Sequence, residues 1–141
     1  MAELKRRGEL AEMKIATDLV ARGFRVAFPF GEDWEVDLIV CRGRSLERVQ
    51  VKHVASDGVT IDVRCYSQSL TSGKVMAVKR YTAATIDWLA VYDSTTDRCF
   101  YIPAAELRDG RSSISLRLVP PSYGRRKDVR LADDYAELRA A

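Results

Sequence analysis

The sequence predicts a fold of the α/β class, with one amphipathic helix near the start of the chain followed by a series of short strands. Apolar residues recur at helical spacing up to Gly23, which is typical of a helix with one buried face. Beyond Gly23, short apolar or alternating segments are separated by turns that contain Gly, Asp and Ser, which is typical of strands. With 141 residues the chain can form one hydrophobic core, and we expect a single domain over residues 1–141.

The composition excludes several classes of protein. Hydrophobic residues make up 47% of the chain and charged residues 30%, as in an ordinary soluble domain. No apolar run approaches the ~20 residues that span a bilayer, and the first residues lack the apolar core of a secretory signal. The three cysteines stand far apart, which favours reduced thiols over a zinc site or disulfides. The net charge of +3 permits nucleic-acid binding but does not require it.

The first predicted element is an amphipathic helix from Leu4 to Arg22 that ends at Gly23. Glu12 falls on its apolar stripe, so its carboxylate either packs over the sheet or lies at the stripe's edge, where it reaches water or pairs with an arginine. Gly8, one turn earlier, would let another backbone or a phosphate come close because it has no side chain. The apolar stripe comprises Ile15, Ala16, Leu19 and Val20.

A predicted pair of strands is the most informative stretch of the sequence. The first strand, Trp34 to Cys41, carries Asp37 directly before an apolar run, so this carboxylate is expected to be partly buried. The second strand, Leu46 to Val54, places Gln50 and Lys52 on one face. The turn between the strands is short enough to make them antiparallel neighbours, so the three side chains are expected to converge. A buried Asp–Lys salt bridge is the alternative interpretation.

The remaining elements are also predicted from pattern. The residues Glu32, Asp33 and Glu35 add carboxylates near Asp37, or else they are solvated loop residues. Asp57-Gly58 predicts a hairpin turn into a strand that alternates over residues 59–65. The other predicted elements are a strand at Phe24 to Phe28, a strand pair at 87–93 and 98–102, a helical turn from Pro103 to Leu107, a strand at 114–118 and a terminal helix at 131–139.

Two polar, basic segments are candidates for contact with nucleic acid. Residues 66–81 are predicted to form an excursion from the core, and residues 120–141 contain a second basic cluster. Either segment can instead be solvated surface, and the sequence leaves both interpretations open. The candidate contacts to phosphates and base edges are Tyr66, Ser67, Gln68, Lys74, Lys79, Arg80 and Tyr81 in the first segment and Arg125, Arg126 and Lys127 in the second.

Taken together, these residues suit hydrolysis of a phosphodiester bond, which needs a neutralised phosphate, an activated water and a stabilised leaving oxygen. Mg²⁺ (or Mn²⁺) is usually held by one or two carboxylates together with waters and substrate phosphate. Asp37 and Glu12 would supply the carboxylates, and the carbonyl of Val51 would complete the cage. Lys52 would pair with the attacking water or the phosphate, and Gln50 offers a neutral amide oxygen where a second carboxylate would be the obvious choice.

Short motifs that extend over nearly the whole chain point to a family. They are Gly8-x-x-x-Glu12, Arg22-Gly23-Phe24, Pro29-Phe30, Val36-Asp37-Leu38-Ile39 and Val49-Gln50-Val51-Lys52, with the later segments 81–92, 99–103 and 132–135. This pattern resembles the PD-(D/E)XK nuclease superfamily and looks closest to the group I intron homing endonucleases of that class. Over roughly the first half, the chain is also similar to archaeal-type Holliday junction resolvases.

The resemblance implies a restriction-endonuclease-like core, a mixed β-sheet flanked by helices, and Mg²⁺-dependent double-strand cleavage of DNA. It places Glu12 and Asp37 as metal ligands and Lys52 beside the nucleophile. Gln50 departs from the Asp or Glu of the superfamily's name, and Val36 departs from its Pro. The intron-encoded group resembles this chain in having Gln at that position, so we do not interpret Gln50 as inactivating. The missing charge leaves the number of metal ions open.

The leading hypothesis is therefore a Mg²⁺-dependent, site-specific endonuclease acting on double-stranded DNA. One alternative is a Holliday junction resolvase or another structure-selective nuclease. The other is a non-cutting DNA-binding protein with a degenerate nuclease fold, for which Gln50 is the reason. The resemblance implies a homo-oligomer, either a tetramer or a dimer. We expect a cytoplasmic protein that is nucleoid-associated when bound to DNA and has no membrane partner.

Overall fold

The computed structural model describes residues 2–31, 34–71, 74–122 and 128–139 of the chain. Within these ranges the chain forms one α-helix, α1 (Ala2–Ala21), and two short 3₁₀ helices, Ala104–Leu107 and Ala132–Tyr135. The strands are β1 (Arg25–Ala27), β2 (Leu38–Arg42), β3 (Ser45–Val54), β4 (Thr60–Arg64), β5 (Tyr66–Thr71), β6 (Lys74–Arg80), β7 (Trp88–Asp93), β8 (Arg98–Pro103) and β9 (Ser113–Arg117).

A central mixed sheet organises the molecule. Its strand order is β1-β2-β3-β7-β8; β3 and β7 run parallel, and the other neighbouring strands run antiparallel. β2 and β3 are joined by a tight turn at Gly43 and Arg44, and Gly43 adopts a φ of +59°, a value that glycine reaches without steric cost. The α/β fold class and the antiparallel pairing of β2 with β3 are therefore confirmed.

The two faces of the sheet are covered by different elements. Ile15 and Leu19 of α1 are fully buried against one face, and the other face packs against the β4–β9 pair and both 3₁₀ helices. Strand β7 lies between these two cores, so all of its residues are buried. Val20 was expected on the buried stripe of the helix but is 58% exposed, and Ala11 is buried in its place.

The end of α1 follows the predicted pattern. Gly23 has a φ of +93°, its N–H donates to the carbonyl of Val20 at 3.0 Å, and the N–H of Phe24 donates to the carbonyl of Leu19 at 3.0 Å. These two bonds satisfy carbonyls that the helix itself leaves unpaired. The turn directs the chain into β1 at the edge of the sheet.

The predicted hairpin at Asp57-Gly58 is wrong, although the turn itself is present. Asp57 accepts hydrogen bonds from the N–H groups of Val59 and Thr60, and Gly58 has a φ of +86°. The turn does not pair β3 with β4, because β3 is already bonded to β2 on one edge and to β7 on the other. Strand β4 pairs with β9 instead, in a separate two-stranded sheet.

Two predicted boundaries also change. The strand expected from Trp34 begins only at Leu38, so Asp37 lies immediately before β2. The expected terminal helix is a single 3₁₀ turn, Ala132–Tyr135. Beyond this turn, two arginine side chains bind the backbone. Arg22, directly after α1, donates to the carbonyl of Ala136, and Arg42, at the end of β2, donates to the carbonyl of Arg139. Such tertiary bonds replace the bonds that a longer helix would have made.

The segment 66–81 leaves the core, as predicted. Its regular structure was not predicted: β5 and β6 form a two-stranded antiparallel ribbon that is separate from the central sheet. The ribbon starts directly after β4 and returns through Tyr81 toward β7. None of the helices in the described ranges has the length and hydropathy to cross a bilayer.

Candidate active site

Asp37 is held at the edge of β3, just where β2 begins. Its backbone N–H donates to the carbonyl of Val49 at 2.9 Å, and its carboxylate accepts the N–H of Val51 at 2.8 Å. Burial raises the pKa of Asp37, while this N–H bond and the charge of Lys52 oppose the increase. The predicted partial burial of this carboxylate is therefore observed.

Glu12 reaches the same position from the helix. Ala11 and Ile15 are buried against the sheet, which leaves the half-buried Glu12 between them facing the end of β2. Burial raises the pKa of Glu12 to about 7, and the adjacent Asp37 carboxylate contributes through its charge and a shared hydrogen bond. Two neighbouring carboxyl groups repel each other when both are ionised, and this cost is relieved by a proton or a cation.

Lys52 lies on the other side of Asp37. Its ammonium group donates to the carbonyl of Tyr66 at 3.1 Å and lies 5.0 Å from the ring centre of Tyr81. Burial lowers the pKa of Lys52, the charge of Arg64 lowers it further, and the charge of Asp37 acts in the opposite direction. The hydrogen bond to Tyr66 replaces the direct Asp–Lys salt bridge that was the alternative interpretation of the sequence.

Gln50 and Val51 complete the arrangement on β3. Gln50 is half-buried and lies on the same face as Lys52, since side chains alternate along a strand. Gln50 makes no side-chain hydrogen bond to another residue within the described ranges. The N–H of Val51 points to Asp37, and the carbonyl of the same residue points to the same edge of the strand.

A cavity of about 230 Å³ opens beside the two carboxylates. It is bounded by Glu12 and Asp37 on one side and by the loop between β1 and β2 on the other, where Trp34 is 57% exposed. The lining residues are Glu12, Phe28, Pro29, Gly31, Trp34, Val36 and Asp37. The cavity is large enough for a hydrated ion, and it connects the carboxylates to the surface.

The donor set fits a hard divalent cation. Two carboxylates and a backbone carbonyl are oxygen ligands of the kind that Mg²⁺ takes, with water and substrate filling the remaining positions. No cluster of three or more His, Cys, Asp or Glu side chains occurs in the described part of the chain. A zinc site built from side chains therefore does not fit these residues, whereas a magnesium site that uses few protein ligands does.

The predicted DNA contacts occupy several different environments. Gly8 has open space where a side chain would be, and Gln68 and Lys74 are exposed on the ribbon. Lys79 forms an ion pair with Glu35, and Arg80 donates to the carbonyl of Gly110. Tyr66 and Ser67 are half-buried at the base of the ribbon. Arg125, Arg126 and Lys127 lie outside the described residues, as do Glu32 and Asp33.

The predicted contact of Tyr81 with DNA does not fit the structure. It is only 3% exposed and belongs to the hydrophobic core beside the ribbon, so its ring is not available to a duplex. Burial raises its pKa to about 12, and a hydrogen bond with Ser67 opposes that increase. Its contact is instead with Lys52, whose ammonium group lies over the ring. Tyr81 therefore packs beside Lys52 and bounds the site.

Arg64 was not identified from the sequence. It is exposed at the end of β4, with its guanidinium 5.1 Å from the ring centre of Tyr66, and its charge acts on Lys52. The alternating pattern of β4 predicted only that Arg64 faces solvent. The end of β4 lies near the end of β3 because β4 pairs with β9, and no local sequence pattern reveals that pairing.

Comparisons with known proteins identify a family and a similar fold. The family model described as PD-(D/E)XK endonuclease matches residues 2–138. Among solved structures, the chain is similar to a bacterial homing endonuclease, I-Ssp6803I, with a TM-score of 0.70 and 19% sequence identity. The match covers 93% of this chain and 86% of that one. A search of curated proteins finds no match.

Proposed function

Because the chain belongs to the PD-(D/E)XK endonuclease family and is a nuclease, we propose that it is a Mg²⁺-dependent, site-specific endonuclease that cuts both strands of DNA, as a homing endonuclease does. The observation that carries the proposal is the meeting of Glu12 and Asp37 at the start of β2, beside Val51 of β3, with Lys52 close by. Perturbed carboxyl groups around an open cavity are typical of functional sites.

Glu12, Asp37 and the carbonyl of Val51 would hold the Mg²⁺ (or Mn²⁺). When bound, this ion supplies positive charge to the scissile phosphate and favours ionisation of water. The Asp37 carboxylate is already fixed by the N–H of Val51, so little reorganisation is needed before it binds a cation. The charge of the cation would also remove the repulsion between the two carboxylates.

Lys52 and Gln50 would act on the attacking water and the phosphate. The ammonium group of Lys52 is oriented by the carbonyl of Tyr66 and by the ring of Tyr81, which leaves its remaining donors for a phosphate oxygen or a water. The amide oxygen of Gln50, on the same face, can accept a hydrogen bond from that water. Gln50 thus orients the water without adding negative charge.

The ribbon would recognise the DNA. A two-stranded β-ribbon fits the major groove, and the exposed Gln68 and Lys74 project from this one. We assign phosphate contacts to Lys74, Arg80, Arg125 and Arg126, and base contacts to polar groups between residues 66 and 80. Lys79 would exchange its ion pair with Glu35 for a phosphate when DNA enters the cleft.

The assembly proposed here is a homo-oligomer, because one such site cuts one strand and double-strand cleavage needs two sites related by symmetry. A dimer satisfies this requirement, and so does a tetramer built from two dimers. We also propose that the protein acts in the cytoplasm and is nucleoid-associated when bound to DNA.

The proposal is tested by incubating the protein with a randomised DNA library and Mg²⁺ and sequencing the cut ends. We expect a long recurrent target sequence and no cutting without a divalent ion. Cutting confined to four-way junctions would reassign the substrate to branched DNA. Sequence-specific binding without cutting at any Mg²⁺ concentration would favour a non-cutting DNA-binding protein.

Two variants test the residue roles. Asp37→Asn and Lys52→Ala should each reduce cleavage by at least about 10³-fold, because the first weakens the binding of the cation and the second removes a positive charge beside the phosphate, while DNA binding in EDTA changes little. Cleavage rates and binding curves are measured side by side. Full nicking activity in either variant would exclude the proposed site.

A further inference from the structure

A groove lined by arginines lies on the layer of the molecule formed by β4 and β9, outside the catalytic cavity. It consists of two adjoining cavities of about 380 and 300 Å³ that share Arg111, Asp128, Val129 and Arg130. Arg108 lines the first cavity, and Ser113, Ser115 and Arg117 line the second. The groove therefore presents four arginines and the hydroxyl of Ser113, which are donors suited to phosphate oxygens, while the hydroxyl of Ser115 already donates to Asp62.

The chain path defines the walls of this groove. The N–H of Arg117 donates to the carbonyl of Arg130 at 2.7 Å, and Arg117 forms an isolated parallel bridge with Leu131. The chain at Arg130 and Leu131 therefore runs beside the end of β9. Ser113 and Ser115 alternate with the buried Ile114 and Leu116, so their hydroxyl groups face outward onto the floor of the groove.

Internal ion pairs account for only part of this positive charge. Arg130 pairs with Glu106 at 2.7 Å, and Glu106 also accepts the hydroxyl of Tyr135. Arg111 and Arg108 form no ion pair with any residue in the described ranges, and Arg117 is bonded only to the carbonyl of Val119. Asp128 lines the groove, Asp62 accepts the hydroxyl of Ser115, and the charge of Arg117 acts on Asp57, so these carboxylates offset part of the remaining positive charge.

The positive charge continues from the groove to the catalytic cleft. The N–H of Cys65 donates to the carbonyl of Ser112 at 3.0 Å, so the end of β4 lies next to Arg111. The charges of Arg111, Lys52 and Arg130 oppose the increase that burial causes in the pKa of the Cys65 thiol. Arg64, beside Cys65, acts on Lys52 and is paired across the strands with Ser113. A row of cations therefore leads from Lys52 through Arg64 to Arg111, and phosphates along one strand of a duplex would follow such a row.

We propose that this groove binds the DNA backbone on one side of the cut site. The inference rests on the proposed function, because it takes DNA as the polyanion. The groove extends the contact surface beyond the ribbon, and its arginines neutralise phosphates without reading bases. Its effect is to fix the position of the duplex relative to Lys52, so it contributes affinity at all DNA sequences alike.

The test compares Arg111→Gln/Arg117→Gln with the unmodified protein. Binding to a 40-base-pair duplex of arbitrary sequence is followed by fluorescence anisotropy in EDTA over a range of NaCl concentrations (a length chosen at about four helical turns). We expect a Kd at least about 10-fold weaker near physiological salt and a salt slope shallower by about 2, since each lost phosphate contact lowers the slope by about 0.9. An unchanged slope would overturn the inference.

Two further variants separate local contact from net charge and from folding. Arg25→Gln/Arg44→Gln removes the same charge at two exposed positions, on β1 and in the β2–β3 turn, and should leave the slope unchanged. Arg111→Lys/Arg117→Lys keeps the charge and should retain most of the slope. If the control pair flattens the slope as much as the groove pair, the groove is not a specific contact surface. Thermal unfolding of all variants verifies that they are folded.

Failure of the catalytic proposal and failure of the groove give different results. If the protein cuts DNA with Mg²⁺ but the groove variant binds and cuts as the unmodified protein does, only the groove is wrong. If no duplex is cut yet the salt slope still depends on Arg111 and Arg117, the groove stands as a DNA contact surface and the catalytic assignment is wrong. During cutting, the groove variant should show its defect in KM rather than in kcat.

Discussion

At the scale of single residues, the decisive feature is a pair of carboxyl groups that the fold places side by side. Asp37 is fixed by the N–H of Val51, and Glu12 approaches it from a helix that packs on the same sheet. The pKa of Glu12 rises to about 7 because its charge is partly buried and is repelled by Asp37. A stable fold that retains this cost at a surface cavity is consistent with a cation-binding role.

The charge of this site can be changed at one position. Gln50→Glu adds a carboxylate on the face of β3 that carries Lys52, so we expect Mg²⁺ to bind about 5- to 10-fold more tightly, as one added charge near a surface cation is worth about 1 kcal/mol. Titration calorimetry with Mg²⁺ in the absence of DNA measures the affinity. Gln68→Glu, the same change on the exposed ribbon, is the matched control and should leave the affinity unaltered. Equal affinities for both variants would contradict the assigned position of the ion.

The sequence predicted these residues to different degrees. Glu12, Asp37 and Lys52 stand out because each is a charged group within a periodic apolar pattern, and the structure brings the three together. Tyr81 was misassigned, since a tyrosine at the end of a polar segment looks exposed until the packing around it is known. Arg64 was missed because its position depends on the pairing of β4 with β9, which no local pattern reveals.

At the scale of elements, α1 positions Glu12 only if its buried face is held against the sheet. Leu19 belongs to that buried face and is fully buried, whereas the adjacent Val20 is 58% exposed. Leu19→Ala should lower the free energy of unfolding by about 2–5 kcal/mol, because it removes buried methyl groups and leaves a cavity. Val20→Ala should change it by less than about 0.5 kcal/mol, since little area is lost and alanine favours a helix. Urea denaturation measures both, and a Val20→Ala loss as large as that of Leu19→Ala would contradict the observed orientation of the helix.

Element types were easier to predict than their pairing. Helical spacing located α1 and its C-terminal glycine, and the alternation of apolar and polar residues located β4. Both patterns depend only on nearby residues. The Asp57-Gly58 turn was recognised for the same reason, yet the hairpin did not follow from it. Pairing is decided by competition among strands distant in the chain: β7 occupies the free edge of β3, and β9 takes β4.

At the scale of the whole molecule, the proposed functions are assigned to three parts: the site beside the sheet would cut, and the ribbon and the arginine groove would bind DNA. Glu12 on α1 and Asp37 at the start of β2 supply the carboxylates, the ribbon begins beside Lys52, and the groove adds positive charge along β4 and β9. The net charge of +3 gave little indication of this surface, because acidic residues elsewhere balance the arginines. Local concentration of cations, rather than net charge, is what DNA phosphates respond to.

The position of the bound divalent ion tests the central claim most directly. A crystal soaked in Mn²⁺ gives an anomalous difference map in which the ion is located without reference to activity. We predict a peak in the cavity between Glu12 and Asp37, within coordination distance of both carboxylates and on the side to which the Val51 carbonyl points. No peak at this position in a crystal of protein that cuts DNA, or a peak only at some other site, would contradict the account.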